Sequence, residues 1–143
     1  MKISKNISLE EAIKSQTAIR KGIDNTPPKD IIPNMVLVAN NCFEPLREWY
    51  GKPIGIGSFY RSVALNRAIK GSPRSQHCKG QAIDIDADMY HNGITNKMIY
   101  DWLRLNVDFD QLIWEFGDHK NPAWVHVSYV SPQKNRRQLL TIK

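Results

Sequence analysis

The apolar residues of this chain change their spacing along its length, and that change restricts the fold more than any single motif. Ile32, Met35, Val36, Ala39, Cys42, Phe43, Leu46 and Trp49 recur at helical intervals, which predicts one buried stripe on a long helix. Asp30 is placed to cap that helix, Pro33 is tolerated in its first turn, and Pro45 should kink it before it ends near Tyr50. The Ser8/Glu11 capping box opens a shorter helix over residues 9–14. Further helices are expected over residues 62–69 and from Thr95 through Leu105. Short strands are expected at residues 54–59 and 82–86, and three more crowd the end of the chain, at residues 111–116, 124–130 and 139–142. Helices that come early and strands that cluster late predict an α+β fold, a small antiparallel sheet with helices packed on one side.

At 143 residues the chain suits one domain, taken as residues 1–143. No apolar run approaches the roughly 20 residues of a membrane-spanning helix, and the basic amino terminus is not followed by the apolar stretch of a secretory signal. A monomer without membrane insertion is expected. The net charge of +6 suits an anionic polymer, but its one dense patch, Lys134-Asn135-Arg136-Arg137, reads as a solvated face, and no nucleic-acid recognition motif accompanies it. Two cysteines are too few for a disulfide framework. Cys42 falls on the helical stripe, and Cys78, next to His77 on a segment read as extended, is expected to be a packed thiol.

The chemistry is concentrated in Ser75-Gln76-His77-Cys78-Lys79-Gly80-Gln81-Ala82-Ile83-Asp84. An imidazole and a carboxylate are both good ligands for a first-row metal, and Gly80 lets the backbone between them turn. Downstream, His126 alternates with Val125 and Val127, so those valines should face the core while His126 shares the other face with Trp124 and Ser128. Three protein ligands would leave a fourth position for water, as catalytic zinc requires. On residue chemistry alone, hydrogen-bonded structural histidines remain the alternative.

The stretch resembles the S-x-H-x-x-G-x-A-x-D signature of the zinc D-Ala-D-Ala carboxypeptidase family, which is related to phage endopeptidase endolysins and the Hedgehog signalling domain. Ser75, His77, Gly80, Ala82 and Asp84 stand at its fixed positions. Phe59-Tyr60-Arg61-Ser62 resembles the family's Y-R-S element, and Trp124-Val125-His126 its W-x-H element. The opening stretch, from Ser8 to Pro28, is similar to a phage-associated branch. The resemblance implies zinc on His77, Asp84 and His126, and a peptidoglycan stem peptide as substrate. It further implies synthesis in a bacterial cytoplasm, with access to the wall after lysis or by virion delivery.

Many members place a catalytic Glu three residues before the last ligand, where this chain has Ala123. Glu115 is the best substitute, provided that residues 117–122 form a hairpin loop that returns the chain to His126. Arg61 is the candidate for gripping a substrate carboxylate or polarising the scissile carbonyl, with a surface arginine as the alternative. Trp124 and Ser75 are candidates for substrate contact, although Ser75 can instead hydrogen-bond the loop around His77. Asp86 shares a strand face with Asp84 and could orient a ligand or join it. His91 and His119 are read as solvated. The loss of Glu at position 123 keeps one rival open, a non-catalytic zinc-bearing binding domain. A basic nucleic-acid-binding domain is a weaker rival that leaves the His/Asp constellation unexplained.

Overall fold

A computed structural model describes residues 1–143, and its largest element is a five-stranded sheet. The chain opens with a two-stranded ribbon, β1 (Lys2–Ser4) and β2 (Ile7–Ser8), and then α1 (Leu9–Ile13). Both halves of the Ser8/Glu11 capping box are formed. A second short helix, α2 (Gln16–Lys21), was not expected; Ser15 caps it and Gly22 ends it in the left-handed conformation.

The long helix is built in three parts. α3 (Ile32–Val38) passes into a single π turn (Ala39–Phe43) and then α4 (Glu44–Tyr50). Asp30 is not its cap. Ile31 donates its N–H to Pro28 O, so the chain is still in a turn at Asp30, and no side chain caps the helix. Pro45 perturbs the helix as expected, but the adjustment appears one turn earlier. Pro45 has no N–H to give to the preceding turn, and Glu44 N–H reaches back five residues to Ala39 O. Met35, Val38, Ala39, Cys42, Phe43 and Leu46 form the buried stripe. Trp49 falls outside it, half-exposed and stacked on Trp102 at 5.3 Å between ring centroids.

Next come β3 (Gly55–Ser58), α5 (Val63–Ala68), β4 (Ala82–Asp86), α6 (Asn96–Asn106), β5 (Gln111–Glu115), β6 (Trp124–Ser128) and β7 (Gln138–Ile142). Ser62 and Thr95 cap α5 and α6. The sheet order is β3-β4-β6-β5-β7, so the fold is α+β as expected. Only β7 departs from antiparallel pairing. The connection after β6 passes the end of β5 and lays β7 parallel to it, Gln111 opposite Gln138 and Glu115 opposite Ile142. No helix is long and apolar enough to cross a membrane.

Alternation along the strands separates two faces. Ile83, Ile85, Leu112, Val125 and Val127 are fully buried in a core that also takes Met35, Phe43, Leu46, Ile99 and Leu103. Burial of each such side chain contributes about 1.5–3 kcal/mol. A one-residue slip of β6 would bring Val125 and Val127 to the opposite face and send His126 into the core, so core burial fixes the register of the polar face.

The end of β5 next to β7 is tied down by one buried carboxylate, Asp110, which accepts hydrogen bonds from Arg136 Nε at 2.9 Å and Nη2 at 2.7 Å. Those bonds hold the Asp110 carboxyl below the ordinary carboxylate range, against the opposing effect of burial. A depressed folded-state pKa contributes stability above the unfolded value, about 3.9, and that stability is lost as pH falls through the folded value. Asp110→Asn is therefore expected to be less stable than the wild type near neutral pH, with the gap narrowing below about pH 4. Denaturant titrations across that pH series measure the gap; a gap independent of pH would assign the loss to shape rather than charge.

Candidate metal centre

His77 sits on a 3-10 turn, Gln76–Lys79, between α5 and β4. Ser75 Oγ accepts the His77 N–H at 3.2 Å, and Gly80 ends the turn at φ +69°. A Cβ at Gly80 would lie 2.7 Å from both Ile31 Cγ2 and Met35 Cγ, so glycine is required there for space as well as for conformation. Cys78 is thus on a tight turn rather than an extended segment; it is half-buried, and its sulfur stays outside the ligand group.

The cross-strand pairing of β4 with β6 puts Asp84 directly opposite His126. Asp84 Oδ1 lies 3.2 Å from His77 Nε2 and 3.0 Å from His126 Nδ1. The two rings meet edge to face, and the three donor atoms all lie within 4.8 Å of one another. His77 Nδ1 is 2.7 Å from Phe59 O, and since a carbonyl can only accept, that nitrogen carries the proton. In a neutral ring Nε2 then presents its lone pair toward the lone pairs of Asp84 Oδ1. Two lone pairs at that distance are reconciled by a cation between them, either a metal ion or a proton on Nε2. Ligand distances of about 2.0–2.1 Å give a tetrahedral edge of about 3.3 Å, close to both measured separations. His77, Asp84 and His126 fit a metal in donor type and spacing. Burial alone would raise the Asp84 carboxyl, but when the two imidazoles are protonated their charge and hydrogen bonds outweigh it and hold this group well below the ordinary range.

These residues floor a groove of about 790 Å³, which also takes in Arg61, Ser75, Glu115 and Trp124. Residues 117–122 form the hairpin loop between β5 and β6, with Ala123 N–H donating to Glu115 O at 2.9 Å. Ile113 stands opposite His126 and Glu115 opposite Trp124, so Glu115 is the diagonal neighbour of His126 on the same face. Diagonal neighbours lie about 7–8 Å apart at Cα. Trp124 Nε1–H donates to Glu115 Oε2 at 2.6 Å and holds the carboxylate in the groove. Burial raises the Glu115 carboxyl above the ordinary range and the Asp84 charge adds to this, while His126, the indole hydrogen bond and His77 oppose it.

Arg61 lies just before α5, its N–H bonded to His77 O at 3.2 Å. Its Nε is buried without a partner and it makes none of the chain's ion pairs, so it brings an uncompensated positive charge to the groove. Asp86 is not brought to the site. Its Oδ1 accepts from Asp88 N–H and Asn96 Nδ2, capping the turn after β4. His91 and His119 are exposed and away from the ligands. The residues that sequence reasoning missed are Asp110, Gln76 and Arg136. Arg136 belongs to the basic patch read as a solvated face, yet it lines the groove. Nothing local in the sequence pairs it with a carboxylate 26 residues earlier.

The profile of a protein family described as Peptidase M15 matches residues 5–128, and peptidases of that family depend on zinc. No curated protein matches the chain.

Proposed function

Because this chain belongs to the peptidase M15 family, we propose that it is a zinc peptidase that hydrolyses an amide bond in the stem peptides of peptidoglycan. The observation that carries the reading is the convergence of His77 Nε2, Asp84 Oδ1 and His126 Nδ1 on the floor of an open groove, with a half-buried glutamate beside them. When bound there, zinc supplies Lewis acidity that polarises a carbonyl and eases deprotonation of water.

The chain's own residues supply the rest. Phe59 O fixes the His77 tautomer, and the Ile83/Val127 and Ile85/Val125 pairs hold Asp84 and His126 at one level. Glu115 Oε1 takes the proton of the attacking water as the new C–O bond forms, and returns it to the amine nitrogen as the C–N bond breaks. The indole of Trp124 holds Oε2 and so aims Oε1. Arg61 faces the negative charge that develops on the carbonyl oxygen, or grips a substrate carboxylate beside it. The aromatic face of Trp124 and the Ser75 turn shape the groove around the peptide.

Metal analysis combined with digestion of purified peptidoglycan tests the proposal. About one zinc per chain is expected, with new amino termini appearing in the stem peptides. Absence of metal uptake overturns the metallopeptidase reading. One zinc with no cleavage of any stem peptide favours a zinc-bearing binding domain, the reading supported by Ala123 at the usual glutamate position.

A further inference from the structure

Asp110 is 1% exposed, and both of its oxygens are fully engaged. Oδ1 accepts from Arg136 N–H at 3.0 Å and Arg136 Nε at 2.9 Å, while Oδ2 accepts from Arg136 Nη2 at 2.7 Å and Gln76 Nε2 at 2.9 Å. With no lone pair to spare, Asp110 is neither a ligand nor a base. It buckles together two walls of the groove: Gln76 belongs to the turn that carries His77, and Arg136 to the segment leading into β7.

The buckle engages only one edge of the guanidinium, leaving Nη1 and the second Nη2 hydrogen unused. That free edge has the fork geometry that pairs with a carboxylate. The backbone beneath it is held as well. Arg137 N–H bonds Phe109 O, Gln138 N–H bonds Asp110 O, and the Arg137 guanidinium lies over the Phe109 ring at 4.9 Å. Arg61, Lys70, Arg74 and Lys79 add positive charge along the groove, against the carboxylates of Asp84 and Glu115 on its floor.

Position indicates which part of a peptide would meet Arg136. Gln111 pairs with Gln138, two residues before the level of Ile113 and His126, and Arg136 lies beyond that end of the sheet. Asp110, which Arg136 grips, is three residues before that level, and three strand residues span about 10 Å, the length of about three residues of extended peptide. We propose that Arg136 is a specificity-determining residue that pairs with a carboxylate carried by the substrate about three residues from the scissile bond, and that Asp110 is its positioning residue. Arg136 stands in the carboxyl-terminal arm, beyond the residues 5–128 that the family profile matches.

The proposal rests on the peptidase reading, and the experiment separates the two. Zinc-loaded protein is titrated in a calorimeter with two product peptides, L-Ala-γ-D-Glu-L-Lys-D-Ala and the same peptide with its glutamate carboxyl amidated, and KM and kcat are measured on the corresponding pentapeptides. The wild type is expected to bind the acidic peptide about tenfold or more tightly than the amidated one. Arg136→Gln should abolish that preference through KM, with kcat within about twofold of wild type, and Arg136→Lys should restore part of it. Asp110→Asn should weaken binding of the acidic peptide alone, and adding Arg136→Gln to it should cost less than in the wild-type background. Equal affinity of the wild type for both peptides, no binding of either, or an unchanged preference in a folded Arg136→Gln protein overturns the proposal. Failure of hydrolysis with the binding preference intact instead counts against the peptidase reading and leaves the subsite standing.

Discussion

His126→Ala is expected to lose zinc-dependent stabilisation and peptidase activity together. The side chain is one of three donors, and no histidine or cysteine besides His77 and His126 belongs to the ligand group. Loss of an outer partner of a metal ligand already costs about 10–100-fold in affinity or activity, so loss of a ligand itself should exceed that. Zinc at about 100 times its Kd stabilises a folded protein by about 2.7 kcal/mol, roughly 5–11 °C in Tm for a chain of this size. Thermal melts of wild type with chelator and with zinc should show that rise, and His126→Ala should not. Each protein is compared with its own metal-free state, so any packing cost of the substitution cancels. His119→Ala, which removes an exposed side chain outside the ligand group, should keep both the rise and the activity. A zinc-dependent rise of full size in His126→Ala would remove this residue from the ligand set.

How much of this was legible in the sequence depends on how local each cause is. Ser8, Ser62 and Thr95 act on N–H groups within three residues; the Ser8 cap stands where it was expected, and Ser62 and Thr95 cap the helices expected to begin at those residues. His126 and its flanking valines were equally readable, because strand alternation is a two-residue rule and burial of Val125 and Val127 enforces it. Asp30 misled because a cap residue signals a start only when the next residue enters the helix, and here the turn closed by Ile31 intervenes. The adjustment at Pro45 was foreseen but not its form, a π turn that precedes the proline. Three features had no local signature. The parallel course of β7 is set by where its connection crosses β5, the Phe59 carbonyl reaches His77 across 18 residues, and Arg136 meets Asp110 through tertiary packing alone.

Glu115→Gln is expected to lower kcat by on the order of 10²-fold or more while leaving zinc content and folding unchanged. The amide is nearly isosteric with the carboxylate, and its oxygen can still accept the Trp124 indole N–H, so the side chain keeps its place. What it loses is the capacity to take a proton from water and return it to the leaving amine. No other side chain is as well placed. Ala123 cannot titrate, and Asp118 is exposed in the hairpin loop, where the N–H groups of Lys120 and Asn121 occupy its Oδ1. Trp124→Phe supplies a second reading, because it removes the indole donor and keeps the ring; its rate should fall between those of wild type and Glu115→Gln. Zinc loss in Glu115→Gln would make the residue part of the metal site, and full activity would move the base elsewhere. A rate that falls with metal and fold intact would leave Glu115 as the group that carries the proton, supplied from β5 rather than from the position just before His126.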